Sequence, residues 1–422
     1  MQQHLYGIDF GTSNSALTIY DRECKEILTT ISIPSIIYFP INQQSNDAVN
    51  YLVGEDAIEA YIQEGMKGRF MKSIKQVLPV PNFIETRIGN DRFTASDLVS
   101  LMIKDLKLKA DKILGYDCKT VILGRPVFFD DNDKTKDDLA QSRLLEAAKK
   151  AGFSSIRFQL EPISAAFTYE KTLSTPEKVL VADLGGGTSD FTLIELDPSR
   201  IGLKNRKEDI VAVGGIYIGG DNLDAAFMWE KGTPYFGRGV KYESMPDKWV
   251  DLPPSFFQHI CSWKEINFFN GTKVRNSLQQ YYLYTKKNEL VQNMITLIDH
   301  NLAYSLFQSI EKTKIELSTN VISLFKFQHD GIDINERIEI ESYHSIVEDE
   351  IKSIMNYLDR FLEKNQIDLS TINSVFLTGG TSLTGAIQKA FEEKFQSIPI
   401  QTGDNFMSVS KGLALSEYLF EE

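Results

Sequence analysis

The sequence predicts an α/β protein of two lobes, each a mixed sheet flanked by helices. Three observations lead there. The first is Val179 to Leu196, VLVADLGGGTSDFTLIEL, where an apolar run ends in Asp183. Three glycines, Thr188, Ser189 and Asp190 follow, then a second strand-like run: strand, tight turn, strand. The second is an echo at Tyr6 to Tyr20, YGIDFGTSNSALTIY. There Asp9-Phe10-Gly11-Thr12-Ser13-Asn14 repeats the same spelling with two glycines fewer. The third is length: 422 residues exceed one core and suit two.

Taken in order, Leu5 to Tyr20 and Glu26 to Phe39 read as successive strands. Asn42 to about Asp111 is more polar, with a helix expected over Thr94 to Lys112 on a Thr or Ser cap. Thr120 to Leu123 is a strand running into Gly124-Arg125-Pro126. Leu139 to Ala151 is a helix closed by Gly152, and Ser155 to Leu160 returns as a strand. Glu161-Pro162 opens a further helix, and the polar bridge Thr172 to Glu177 marks the lobe boundary. Beyond the second hairpin, Ile210 to Val213 is a strand leading to GGIYIGGDNLD. Thr285 to Ser318 reads as helical with a break near Asp299. A strand pair, Val321 to Phe327 and Ile332 to Ile340, and an amphipathic helix, Glu348 to Lys364, follow. Ser374 to Thr378 is a strand meeting Gly379-Gly380, and Ala386 to Phe395 is a helix. The expected division is therefore lobe I over 1–175, with an outer part at about 40–111, and lobe II over 176–422, with an outer part at about 219–311. A last helix over about 405–422 is expected to return toward lobe I.

The two hairpins carry the chemistry. Consecutive glycines let a ligand approach the backbone with no Cβ in the way. Successive N–H groups in such turns converge on an anion. Asp183 and Asp190 bracket the second turn, placed to hold the cation a bound phosphate needs, directly or through water. One such hairpin per half suggests two similar lobes facing one nucleotide. Neither copy is a GxxxxGK[ST] loop or a GxGxxG dinucleotide turn.

Composition bounds the rest. A hydrophobic fraction of 42% and a charged fraction of 24% are those of an ordinary globular chain. A formal charge of −13 argues against nucleic acid as a partner. Cys24, Cys118 and Cys261 are too widely spaced for a disulfide framework or a zinc site. There is no signal-peptide pattern at the start and no apolar run long enough to span a membrane, so a cytoplasmic setting is expected.

Six stretches now stand in one order: GIDFGTSNS, LEPISAA, VADLGGGTSD, IGGD at Ile218 to Asp221, IEKTKIELS and FLTGGTSLTGAI. Together they resemble the actin-like ATPase fold, and within it the ATPase domain of the heat shock protein 70 chaperones, over nearly the whole chain. The resemblance implies a two-lobed fold with ATP or ADP and Mg2+ in the cleft, and slow hydrolysis of ATP. On it, Asp9, Gly11, Thr12, Ser13 and Asn14 match the first phosphate loop, and Asp183, Gly185, Gly186, Gly187 and Thr188 the second. Asp9, Asp183 and Glu161 match the residues that hold Mg2+ through water, and Asp183 and Thr188 those that orient the attacking water. Gly219 and Gly220 match a glycine pair near the phosphates and ribose; Glu311, Lys314 and Ser318, on one helical face, match the adenosine-binding helix. Gly379 and Gly380 match the turn under the adenosine. A client or a co-chaperone protein is the further partner the resemblance implies.

The departures are specific. The family's arginine on the base is Leu383 here, and a proline beyond it is Gly385. The family's catalytic lysine has no secure match: Lys72 or Lys75 could reach inward, but each reads rather as a lysine on a solvated face. Pro126 in GRPVFF matches the proline of the family's interdomain switch, with Arg143 as the candidate partner arginine. The chain stops at Glu422, so a chaperone-family member without a substrate-binding domain is expected. The open lysine keeps a second function in view, a nucleotide-binding regulator with little turnover that signals by lobe closure. A sugar or acid kinase would want a catalytic aspartate in a substrate pocket, and none stands out. A filament-forming actin-like protein fits the motif spellings less well.

Trp229 to about Lys273 has no clean period and holds all three tryptophans, Trp229, Trp249 and Trp263, with Phe256, Phe257, Phe268 and Phe269 among the other aromatics. Two readings stay open: a satellite core, or an exposed aromatic patch for a partner.

Overall fold

A computed structural model describes residues 2–41, 50–130, 133–201, 203, 206–266, 272–403 and 407–417. Phe268, Phe269 and the ends of the expected C-terminal helix lie outside the described residues, and the side chain of Trp263 is not described. The expected fold class is observed: two mixed five-stranded sheets with helices against them.

The first sheet contains β1 (His4–Phe10), β2 (Asn14–Asp21), β3 (Glu26–Pro34), β4 (Thr120–Arg125) and β5 (Ser155–Leu160), in the spatial order β5-β4-β1-β2-β3. The second contains β6 (Glu177–Leu184), β7 (Ser189–Leu196), β8 (Ile210–Ile216), β9 (Ser374–Thr378) and β10 (Ile400–Thr402), in the order β8-β7-β6-β9-β10. These are one topology used twice. Each sheet begins with an antiparallel hairpin, β1–β2 or β6–β7, extended by a third antiparallel strand. Each then gains two parallel strands on the other side of the hairpin's first strand. The repeated motif in the sequence is thus one corner of a repeated sheet.

β1 and β6 lie inside their sheets and are buried on both faces, which is why they read as near-continuous apolar runs rather than alternating ones. One face of the first sheet packs its Ile8, Leu17 and Leu123 against helices Ala95–Leu114 and Lys134–Lys150. Leu5 and Ile122 of that sheet and Val179, Val181, Ile194 and Phe376 of the second share a core with helices Glu161–Glu170 and Ser408–Leu415. The Ser410 hydroxyl accepts from Thr18, and Glu417 receives the Arg22 guanidinium.

Local sequence explains the helix ends. Thr94 and Asp97 form a reciprocal capping box for Ala95–Leu114, and Gly115 closes it in the left-handed conformation. The next helix begins at Lys134, five residues before the expected Leu139, because Asp133 accepts from Thr135 N and Lys136 N. The long helix expected over Thr285 to Ser318 is two, Glu289–Asp299 and Ala303–Leu317. The first starts on the Asn288 cap, and the left-handed Asn301 lies in the break.

By proximity the chain falls into two compact units. The first is Met1–Gly220, Ser353–Leu383 and Ile387–Glu422, and holds both sheets. The second is Asp221–Lys352 with Thr384–Ala386. Within it, the aperiodic stretch after Trp229 resolves into a hairpin, Lys241–Met245 with Lys248–Asp251, and a helix, Pro254–Cys261. Phe236, Phe257, Ile260 and Cys261 are buried there, whereas Trp249 is 51% exposed and Met245 64%. Core and exposed patch are both present, on different residues.

Candidate functional site

Both hairpin turns sit at the ends of sheet-centre strands, and their side chains meet. Asp9 and Asp183 occupy the last turns of β1 and β6, with Asp183 paired in register to Asp190 on β7 and to Thr378 on β9. In the first turn the Ser35 hydroxyl donates to Gly11 O at 2.8 Å and Ser35 N to Ser13 O at 2.8 Å, so the residue after β3 braces the loop. In the second, Gly185 N donates to Thr188 O at 2.9 Å. The turns face each other: a methyl on Gly187 would stand 3.1 Å from Thr12 Oγ1. Thr12, Lys75, Gln76, Pro126, Gly187 and Thr188 line a common pocket.

The glycine pairs support the second turn. Gly220 N and the Thr381 hydroxyl both donate to Gly185 O, at 3.1 and 2.8 Å. Gly379 has φ +82°, and a Cβ there would come within 2.8 Å of Asp183 Oδ1. Only glycine holds that backbone against the aspartate. The matched residues Gly185, Gly186, Gly187, Gly219, Gly220, Gly379 and Gly380 are thus neighbours, and Thr381, which sequence reasoning passed over, joins them. Leu383 is 38% exposed. In the second unit, Glu311 and Lys314 share helix Ala303–Leu317 with Ser318 as its C-cap, and Lys314 Nζ donates to Asp224 Oδ1 at 2.6 Å.

Lys75 is the lysine that turns inward. It lies in a single 3-10 turn, Ile74–Val77, after a left-handed Ser73, and its Nζ donates to Glu161 Oε1 at 2.7 Å. Both residues are buried, Lys75 with 8% exposed and Glu161 with 5%. The solvated-face reading is therefore corrected for Lys75. The signal available in the sequence was the apolar setting, Ile74 before it and Val77-Leu78 after.

The electrostatics are unbalanced. Burial, then the neighbouring Glu161 carboxylate, holds Asp9 well above the usual carboxylate range, against the pull of Lys75. Burial also pushes Asp183 up to about 8, with Glu161 and Asp190 adding to it. Asp190 rises to about 7 by burial and Glu161, although it accepts Val127 N at 3.0 Å. Burial disfavours the Lys75 charge, but Glu161 and Asp9 outweigh it and its pKa is raised. One ammonium thus faces four carboxyl groups, a donor set that a divalent cation would neutralise. Among the described residues, no three His, Cys, Asp or Glu side chains come close enough together to ligate one ion.

The switch residues are arranged otherwise than expected. Pro126 lines the pocket, but its carbonyl accepts from Arg125 Nε at 3.1 Å. Arg125 is in turn held by both oxygens of Asp137, at 2.8 and 2.9 Å, and by Gln141. Arg143 donates to the carbonyls of Val77, Leu78, Val80 and Phe83. Its hydrogen bonds go to the segment after Lys75, and the arginine on Pro126 is the one preceding it.

The family model described as Hsp70 protein matches residues 5–229 and 268–418, both hairpins included. The chain belongs to the Hsp70 family. The residues between the two matched stretches carry the hairpin with Trp249. Similar curated proteins include the Chaperone protein DnaK of Thermosipho africanus, 23% identical over 98% of this chain and 58% of the relative. The DnaK of Thermotoga maritima is 23% identical over 98% and 59%, and that of Halobacterium salinarum 24% identical over 98% and 55%. The chain thus spans less than two thirds of the length of the relatives it matches. Among the described residues no helix is long and apolar enough to cross a membrane.

Proposed function

We propose that this Hsp70-family chain binds Mg-ATP at the paired hairpin turns and hydrolyses it slowly to ADP and phosphate. The observation that carries the reading is the meeting of Thr12 and Gly187 at a pocket lined by Lys75, whose ammonium pairs with the buried Glu161 and faces Asp9, Asp183 and Asp190.

In phosphoryl transfer a protein mainly positions groups and stabilises charge. Backbone N–H groups of Gly11 to Asn14 and Gly186 to Thr188 hold the phosphate oxygens. Gly219, Gly220, Gly379 and Gly380 keep the second turn in shape, and Glu311, Lys314, Ser318 and Leu383 are the proposed nucleoside contacts. Asp9, Asp183 and Glu161 would hold Mg2+ through water, and the ion would neutralise charge on the phosphates. Thr188 and Asp183 would orient the attacking water, and Asp183 would take its proton. Lys75 sets the position of Glu161 and offers positive charge to the transferred group.

The reading as a regulator with little turnover drew its support from the want of an inward lysine. The buried Lys75 removes that support. A client or co-chaperone remains the partner class that family membership favours. Steady-state ATPase measured with and without Mg2+, alongside melting temperature with Mg-ADP, tests the function. A ligand that binds only the folded state raises its melting temperature by mass action. The absence of both a melting-temperature shift and Mg2+-dependent turnover at millimolar nucleotide would overturn it.

A further inference from the structure

We infer that Arg143 is a positioning residue for Lys75, acting through the backbone of residues 77–83; the inference rests on the reading of this pocket as a nucleotide site. The segment Leu78-Pro79-Val80-Pro81-Asn82-Phe83 carries two prolines, which donate no backbone hydrogen bond. It makes only short-range turns, Leu78 N to Lys75 O at 3.2 Å, Val80 N to Val77 O at 3.2 Å and Phe83 N to Val80 O at 3.2 Å. Its outward carbonyls collect on one guanidinium. Arg143 Nη1 reaches Val77 O at 3.2 Å, Leu78 O at 2.8 Å and Val80 O at 2.9 Å, and Nη2 reaches Phe83 O at 2.9 Å. A planar fork of five N–H donors is the one side chain that serves so many carbonyls from a fixed point.

The clamp begins where Lys75 is set. Val77 ends the 3-10 turn that carries Lys75, and Leu78 is hydrogen-bonded to the Lys75 carbonyl. Lys75, Gln76 and Pro79 from this stretch all line the pocket. The same helix, Lys134–Lys150, supports a second part of that wall. Asp137 and Gln141 hold Arg125, Asp137 also accepts Phe129 N at 2.7 Å, and Pro126 and Phe129 line the pocket too. One helix therefore brackets both segments, with Arg143 serving the lysine side. Without it, Leu78 O and Phe83 O lose this donor, Val77 O and Val80 O keep only their turn hydrogen bonds, and the one-turn helix loses its C-terminal anchor.

The test separates positioning from general stability. Lys107 is buried and ion-paired as Lys75 is, with Asp111 at 2.5 Å, on helix Ala95–Leu114, and serves as an internal control. Nucleotide-free wild type, Arg143→Ala and Arg143→Lys are exposed to an amine-acetylating reagent, and each lysine is quantified by peptide mass spectrometry. Arg143→Ala is expected to raise Lys75 labelling about tenfold with Lys107 unchanged, since local opening reports local stability. Arg143→Lys, which keeps the charge without the fork, is expected to fall between. The rate arm compares Lys75→Ala, Arg143→Ala and the double variant: kcat falls about tenfold in Arg143→Ala with KM within about twofold, and not at all further in the Lys75→Ala background. Equal labelling gains at Lys75 and Lys107, no gain at Lys75, or additive rate losses would overturn the assignment. A wild type with no nucleotide-dependent turnover would overturn the ATPase reading instead, leaving the labelling ratio to decide on Arg143.

Discussion

Lys75 and Glu161 stand 86 residues apart in the chain and meet at 2.7 Å in the interior. The pair joins the 3-10 turn Ile74–Val77 to the first residue of helix Glu161–Glu170, and Lys75 lines the pocket shared with Thr12 of the first hairpin turn and Gly187 of the second. Because it is buried, removing one partner strands the other. Lys75→Met is expected to cost roughly 3–5 kcal/mol in the nucleotide-free protein, the range for a broken buried pair. It should also lower hydrolysis by about two orders of magnitude, leaving a measurable remainder, while keeping the Mg-ADP shift in melting temperature. Denaturant unfolding with a parallel ATPase assay checks it; wild-type turnover in the variant would remove Lys75 from the chemistry.

The site predicts a pH slope. A carboxyl whose pKa is higher in the folded than in the unfolded state holds its proton more tightly when folded. Its contribution to stability is therefore largest at low pH and is lost as pH rises from the unfolded toward the folded value. For Asp183 that window runs from 3.8 to about 8, and for Asp190 from 3.8 to about 7. The nucleotide-free protein should lose stability across this range, and Mg-ADP should stabilise it more at the alkaline end than at the acid end. Melting curves from about pH 5 to about pH 8, with and without Mg-ADP, decide it; a nucleotide shift that shrinks as pH rises would contradict the proposed site.

How much of this was legible follows from where each signal resides. The repeated hairpin was readable because a glycine turn between two buried strands leaves a local spelling, and the doubled sheet follows from it. Glu161 was readable from LEPISAA, since a helix N-terminus is also local. Lys75 was not, because its burial is set by the approach of Glu161 from a distant element. Arg143 was misplaced for the same reason: its partners are backbone carbonyls, which leave no mark in residue type. The helix over 134–150 was shortened because the polar stretch before Leu139 looked like loop, although Asp133 caps it. The Trp229 to Lys273 stretch lacked a period because hairpin, short helices and turns alternate too quickly for one to show.

Asp183→Asn is expected to act oppositely on stability and turnover. The amide removes a carboxylate from a cluster in which burial, Glu161 and Asp190 all oppose its charge. The nucleotide-free variant should therefore melt higher than wild type at about pH 8, with the difference shrinking toward about pH 5. Hydrolysis should fall by about two orders of magnitude or more, because a neutral amide holds the ion's water shell poorly and takes no proton. Melting curves and single-turnover rates measure the two effects. A variant that turns over ATP at the wild-type rate would show Asp183 to be misassigned.

The last prediction uses the two kinds of aromatic in the second unit. Trp249 lies on the exposed hairpin, opposite Glu243 in register, with the Lys286 ammonium 5.4 Å from its ring centre. Phe257 lies three residues into helix Pro254–Cys261 and is 2% exposed. Truncating an exposed ring opens no cavity, so Trp249→Ala should change stability by no more than about 0.5 kcal/mol. Phe257→Ala leaves a hole in a packed interior and should cost about 3–5 kcal/mol. Neither residue belongs to the proposed nucleotide site, so the Mg-ADP shift should survive in both variants at temperatures where they are folded. Chemical denaturation of the pair is the measurement. A Trp249→Ala loss as large as that of Phe257→Ala would place the hairpin in the core, whereas the small loss expected would leave Trp249 as surface, free to be tested for a partner separately from the fold.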